Sequence, residues 1–136
     1  MLSSKGRILC TEDDRDTREM LTYILTEAGY EVDCTDSPTG ALKRAREEYV
    51  DLFLIDNWMT DMKGPELTRT LRTFNQRTPI LFYSAAAYEA DKREACDAGA
   101  QAYLVKPEGV LTLVAEVARL IAESNFAHPV AIDPAA

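Results

Sequence analysis

Glu12, Asp13, Asp56, Ser84 and Lys106 each follow or close a short hydrophobic run, and together they are residue types that bind a divalent cation and a phosphoryl group. Ile8-Leu9-Cys10-Thr11 runs into Glu12-Asp13-Asp14, and Leu52-Phe53-Leu54-Ile55 ends on Asp56. Ile80-Leu81-Phe82-Tyr83 ends on Ser84, and Tyr103-Leu104-Val105 on Lys106-Pro107. If these runs are parallel strands, their carboxyl ends share the edge where open α/β sheets bind ligands. Distant carboxylates then meet a hydroxyl and an ammonium in one pocket. That points to phosphoryl chemistry on an aspartate.

A carboxylate at the end of a central strand can attack phosphorus to form an acyl phosphate. Alone, Asp56 reads equally well as a strand-end cap. Glu12 and Asp13 shift the balance, because Mg²⁺ prefers near-octahedral oxygen ligands, usually with one or two carboxylates. Asp13 and Asp56 suit direct contacts, Glu12 a contact through water, and a backbone carbonyl after Asp56 another. Asp14 reads instead as an acid at a helix N-terminus, favoured by the macrodipole. Lys106 offers a charge that neutralises a phosphate oxygen; without the acids it would be an ordinary solvated lysine. Pro107 permits a cis bond after Lys106 that aims the lysine into the pocket. Ser84 can donate to a phosphoryl oxygen, or else simply form a turn before a helix beginning near Ala86.

The elements needed to position these groups are legible. Asp14 or Asp16 can cap a helix running to about Ala28, with Met20, Leu21, Ile24, Leu25 and Ala28 on one face and Gly29 ending it. Glu31-Val32-Asp33-Cys34-Thr35 alternates as a half-covered strand near a sheet edge would. Ser37-Pro38 opens a helix through about Glu48, and the run ending at Ile55 suits a strand buried on both faces. Gly64-Pro65-Glu66 starts a third helix ending near Phe74. A strand after Pro79 leads to a helix from about Ala86 to Ala98, stopped by Gly99. Tyr103 to Val105 is the fifth strand and Val110 to Ser124 the fifth helix, with Val114, Val117, Leu120 and Ile121 at spacing that packs on the sheet. Alternation of this kind implies a doubly wound α/β fold, a five-stranded parallel sheet with helices on both faces.

Composition narrows the function. At 136 residues, with 46% hydrophobic and 28% charged residues, the chain reads as one ordinary globular domain. A net charge of −8 argues against direct nucleic-acid binding. Cys10, Cys34 and Cys96 lack metal or disulfide spacing and read as buried reduced thiols. No signal peptide is visible, and the most apolar stretch, residues 110–122, is too short to span a bilayer. A soluble, cytoplasmic protein that does not contact membranes is expected. His128, the only histidine, lies in the tail and reads as solvated.

The motifs through Asp14, Asp51-Leu52-Phe53-Leu54-Ile55-Asp56-Asn57-Trp58-Met59, Gly64, Ser84-Ala85, Ala98-Gly99-Ala100 and Tyr103-Leu104-Val105-Lys106-Pro107 resemble a receiver domain of two-component response regulators across residues 5–124. The resemblance implies a flavodoxin-like (βα)5 three-layer sandwich over residues 1–124, with residues 125–136 a tail or linker stub. It implies that Asp56 is the phosphoacceptor, that Asp13 and Asp56 ligate Mg²⁺ directly, that Glu12 does so through water, and that Trp58 offers its backbone carbonyl. Ser84 takes the switch-hydroxyl position, Tyr103 the switch aromatic and Lys106 the phosphate-contacting lysine.

The implied donor is a histidine kinase or histidine phosphotransfer protein. The implied output is a downstream protein target or an effector domain missing from this sequence. Such a domain catalyses only its own phosphorylation and dephosphorylation. Thr11, Trp58 and Thr60 depart from the usual pattern, bearing on rate and lifetime. Trp58 and Ala86, flanking the approach of the hydrolytic water by resemblance, carry no amide or carboxylate to hold it, so slow self-dephosphorylation is expected.

Other readings compete. A pseudo-receiver would keep the fold as a phosphorylation-independent interaction module, against the full set Glu12, Asp13, Asp56, Ser84 and Lys106. A phosphatase using an aspartate nucleophile on external substrates would want a second acid beside Asp56 and a cap, where Asn57 and Trp58 stand. A dinucleotide site fails at residues 11–15, which hold acids and no glycine.

Overall fold

Strand and helix alternate throughout residues 4–127, the part of the chain that the computed structural model describes. In order they are β1 (Arg7–Thr11), α1 (Arg15–Glu27), β2 (Glu31–Thr35), α2 (Pro38–Glu47), β3 (Leu52–Ile55), α3 (Gly64–Arg72), β4 (Ile80–Ser84), α4 (Glu89–Ala98), β5 (Ala102–Val105) and α5 (Leu113–Ala127). A 3-10 turn, Glu108–Leu111, precedes α5. The strands form one parallel sheet in the order β2-β1-β3-β4-β5. The order reverses between β1 and β3, which opens a crevice at their carboxyl ends.

Side-chain alternation sorts the strands onto two cores. Ile8, Cys10, Leu52, Leu54, Leu81 and Tyr83 face α1 and α5, meeting Leu21, Leu25, Leu113, Val117, Leu120 and Ile121. Leu9, Phe53, Ile55, Ile80 and Phe82 face the other way, against Ala41, Leu67, Leu71 and Ala95 of α2, α3 and α4. Each fully buried Leu, Ile or Phe contributes about 1.5–3 kcal/mol of transfer free energy. β1, β3 and β4 are therefore fixed with both faces covered, and their ends cannot wander. β2 lies at an edge and is only partly covered, as its alternation predicts.

Local signals set most boundaries. Asp14 caps α1, its carboxylate accepting from Thr17 N at 2.9 Å, and Ser37 caps α2 through Gly40 N at 3.1 Å. Gly29 and Gly99 follow α1 and α4 at φ of +104° and +122°, where side chains are disfavoured. The Lys106–Pro107 bond is cis.

Several expectations need correction. α4 starts at Glu89, not near Ala86, because residues 85–88 are held in a loop by bonds described below. Its first turn forms where the Asp91 carboxylate accepts from Tyr88 N at 3.1 Å. The fifth helical segment splits: Gly109 packs so close to Leu104 that an added Cβ would lie 2.7 Å from Leu104 Cβ. After that turn, α5 buries Leu113 and leaves Val114 36% exposed. It also runs to Ala127, three residues into the expected tail.

Met20 sits on the rim of α1 and is exposed rather than packed. Of the thiols only Cys10 is buried; Cys34 is half-buried on the edge strand and Cys96 exposed on α4. The rest of the proposed tail, including His128, lies outside the described residues. Among the described residues no helix is long and apolar enough to cross a membrane.

Candidate functional site at the carboxyl end of the sheet

Strand register assembles the pocket. Thr11 pairs with Ile55, so Glu12-Asp13 and Asp56 emerge side by side, and Asp56 N donates to Thr11 O at 3.1 Å. Ser84 pairs with Val105, and Lys106 N donates to Ser84 O at 2.9 Å, which brings the lysine to the same rim. Asp56 is 7% exposed, Glu12 and Ser84 fully buried, and Asp13 exposed.

Lys106 Nζ lies 2.7 Å from Glu12 Oε1 and 3.5 Å from Asp56 Oδ2. Oxygens of Glu12, Asp13 and Asp56 all lie within 4.8 Å of one another. Three carboxylates this close repel unless cations sit among them, and one ammonium balances only part of their charge. Hard oxygen donors with residual negative charge fit a cation such as Mg²⁺, which binds oxygen at about 2.0–2.1 Å. The acidic cluster could therefore hold a divalent metal.

Electrostatics agrees with that imbalance. Burial first, then the charge of Asp56, raises the Glu12 carboxyl to about 7, against the pull of its Lys106 hydrogen bond. Burial alone would lower Lys106, but its bonds to Glu12 and Asp56 hold it above the ordinary lysine value. The ammonium thus stays charged across the physiological range.

Two supports escaped the sequence reading. Arg18 Nη1 donates to the carbonyls of Glu12 and Asp13 at 2.9 and 3.0 Å, pinning the acidic turn onto α1. Asn57, 3% exposed, donates through Nδ2 to Tyr103 Oη at 3.2 Å, and Tyr103 in turn donates to Ala86 O at 2.6 Å. A polar residue directly after a strand-end acid was the available sign for Asn57; Arg18 looked like any exposed helix residue. The Tyr103 ring stacks on Phe82, centroids 5.5 Å apart, and burial raises its phenol above the ordinary value.

Ser84 Oγ accepts from Ala86 N at 3.2 Å, the turn-forming role of a serine at this position. Ala86 is buried at 1%, whereas the Trp58 side chain is 55% exposed. Gly64 approaches the loop after β3 so closely that a Cβ would lie 2.8 Å from Asp56 O and 2.6 Å from Phe82 Cε2. Glu12, Asp13, Asp56, Ser84, Tyr103 and Lys106 thus cluster at one end of the sheet, and Trp58 is turned to solvent.

Comparison with known proteins agrees with this arrangement. Residues 8–118 match the family model of the response regulator receiver domain. The chain is 35% identical over 127 residues to the transcriptional regulatory protein CusR of Escherichia coli, covering 88% of this chain and 56% of that protein. It therefore spans about half the length of the curated relatives it matches. A CheY-like receiver domain from Methanospirillum hungatei superposes with a TM-score of 0.85 at 25% identity, over 93% of this chain and 99% of that one. The receiver domain of a sensor histidine kinase from Pseudomonas aeruginosa, with magnesium coordinated in its active-site cleft, superposes with a TM-score of 0.79 at 27% identity, over 86% and 98%.

Proposed function

The chain belongs to the response regulator receiver domain family, and from that footing we propose that it is a Mg²⁺-dependent switch phosphorylated on Asp56. The observation that carries the reading is the placement of Lys106 Nζ 2.7 Å from Glu12 and 3.5 Å from Asp56, at the strand ends where a third acid, Asp13, also stands. A phosphohistidine on a histidine kinase or phosphotransfer protein is the donor. Asp56 Oδ bonds to phosphorus as the bond from phosphorus to the donor's imidazole nitrogen breaks, giving an acyl phosphate and free histidine.

Asp56, being buried and hydrogen-bonded into the sheet at its N–H, presents its carboxylate with little freedom. Positioning and charge neutralisation supply most of the catalysis in such transfers. Lys106 moves from carboxylate to phosphoryl oxygen, and the Ser84 hydroxyl, now bonded by Ala86 N, turns to donate to another. Mg²⁺ held by Asp13, Asp56 and the Trp58 carbonyl, with Glu12 through water, would neutralise charge on the phosphoryl oxygens. Beyond that transfer and the hydrolysis of the acyl phosphate to inorganic phosphate, no turnover of other substrates is assigned to the domain.

We place the receiver at residues 1–124 and a tail or linker at residues 125–136, with α5 continuing as far as Ala127. Its output is a protein target or an effector domain, the latter being consistent with relatives of which this chain spans only about half. The test is intact-mass spectrometry after incubation with acetyl phosphate and Mg²⁺. One phosphoryl group on wild type and none on Asp56→Asn is expected. No adduct on wild type with Mg²⁺ present would favour a phosphorylation-independent interaction module instead.

A further inference from the structure

Cys10 and Cys34 are direct partners in the register of β1 and β2. Adjacent parallel strands lie about 4.8 Å apart, inside the roughly 4.4–6.8 Å between Cα atoms that a disulfide bridges. Both side chains point to the α1 side of the sheet, where Cys10 is buried and Cys34 packs half-buried beside it. A surface groove of about 500 Å³ opens onto the outer thiol of Cys34, with Arg18, Thr22 and Tyr23 on its wall together with the acids Glu19 and Glu27. Cys96 is exposed on α4, across the sheet, and belongs to neither feature.

We propose that Cys34 is a site of reversible oxidation, which hydrogen peroxide reaches through this groove and which Cys10 resolves into an internal Cys10–Cys34 disulfide. In the first step the Cys34 thiolate attacks one peroxide oxygen and the O–O bond breaks. Cys34 becomes a sulfenic acid, and the other oxygen leaves as water after taking a proton. In the second, Cys10 sulfur attacks Cys34 sulfur and displaces hydroxide, which leaves as water with the Cys10 proton. Two thiols lose two electrons, and one hydrogen peroxide is reduced to two waters.

The surroundings favour the first step. Thr22 Oγ1 lies 3.1 Å from Cys34 Sγ. The neighbouring Cys10 thiol first, then Thr22 and the charge of Arg18, lower the Cys34 thiol to about 6, against burial and the charge of Asp33. The same pairing and burial push the Cys10 thiol up, so Cys34 is the thiol that ionises and reacts first. Arg44, from α2, binds Asp33 on the same strand and so offsets that opposing charge. A low-pKa, accessible thiol beside a second cysteine has the features of an oxidation site.

The test uses the full chain carrying Cys96→Ser, treated with graded hydrogen peroxide, alkylated and analysed by intact mass and peptide mapping. The expected product has lost two hydrogens, links the Cys10 and Cys34 peptides, and reverts with dithiothreitol. With Cys10→Ala added, Cys34 should instead gain one oxygen and be trapped by dimedone. Thr22→Val should slow oxidation while leaving both cysteines in place. A dimedone adduct on Cys10, a Cys34 sulfenic acid that persists with Cys10 present, or links only between chains would overturn the proposal. Mapping of the Cys96→Ser chain decides the matter even if Cys10→Ala does not fold.

Discussion

Glu12 and Asp13 are neighbours in sequence but not in surroundings, and the difference assigns them different work. Both Glu12 oxygens are engaged, Oε1 by Lys106 at 2.7 Å and Oε2 by Asp14 N at 3.2 Å, while Asp13 is exposed. A carboxylate already held by two donors suits support of a metal through water, and an exposed one suits direct ligation. Loss of an outer partner typically costs about 10–100-fold in metal affinity. Glu12→Gln should therefore weaken Mg²⁺ binding within that span, and Asp13→Asn should weaken it further. The protein's one tryptophan, Trp58, reports the titration by fluorescence; equal losses in the two variants would erase the distinction. Trp58 also bears on the lifetime of the phosphoryl group. Its indole offers no amide or carboxylate oxygen to accept from a water and orient it for attack, whereas an asparagine there would. The phosphorylated fraction of Trp58→Asn, followed after donor removal, should decay several-fold faster than that of wild type. Equal decay would mean that this side chain does not govern water access. Ala86, the other flanking position, is buried with both its backbone groups engaged, so substitution there would disturb the loop as well as the chemistry.

Among the elements, α3 shows how closely packing and site are joined. Its first residue, Gly64, lies against Asp56 O and the Phe82 ring, and Gly64 N donates to Asn57 O at 2.9 Å. Gly64→Ala must push the loop after β3 away or tilt α3. Overpacking of that kind costs about 1–3 kcal/mol, so thermal unfolding should shift down and Asp56 phosphorylation should slow together. A stable variant with wild-type phosphorylation would show that the loop tolerates the methyl. The sequence made the buried strands and the helix caps plain, because Leu52-Phe53-Leu54-Ile55, Asp14 and Ser37-Pro38 act locally. It misplaced the start of α4 because Ala85-Ala86-Ala87 favours helix on its own, while Ser84 and Tyr103 claim the Ala86 backbone from elsewhere in the fold. On α5 it named Val114 in place of Leu113 beside Val117, Leu120 and Ile121, since the two neighbours are equally apolar and only contact with the sheet selects between them. Arg72 was invisible for the same reason. Its guanidinium gathers the carbonyls of Asn75, Thr78 and Gly99 and the Gln101 side chain, a junction that exists only once α3, β4 and the turn after α4 have met.

Across the whole molecule, the proposed phosphorylation of Asp56 would have to be felt at a distant surface, and a hydrogen-bonded chain leads from Asn57 to the entry of α4. The residue after Asp56, Asn57, donates to Tyr103 on β5, and Tyr103 donates to Ala86 at the entry to α4. Ser84 supports the same loop through Ala86 N. If the phosphoryl group draws the Ser84 hydroxyl toward itself, Ala86 N loses its acceptor and the loop is freed to shift, with Tyr103 following. This is a population shift between two arrangements, and the phosphoryl contact supplies the differential free energy it requires. The consequence is specific. A fluoroberyllate adduct of wild type should change amide exchange from Ala85 through α4, β5 and α5, as far as Ala122. In Tyr103→Phe the ring and its stacking on Phe82 are kept but the bond to Ala86 O is lost. Exchange at Ala86, Ala87 and Tyr88 should then be faster before any adduct forms, and the adduct should alter mainly the loops around Asp13 and Asp56. Phosphorylation itself should persist, because Tyr103 touches none of the three acids. If the variant transmits the change to α4 and α5 as fully as wild type does, the route through the phenol is wrong and the coupling runs through Ser84 alone.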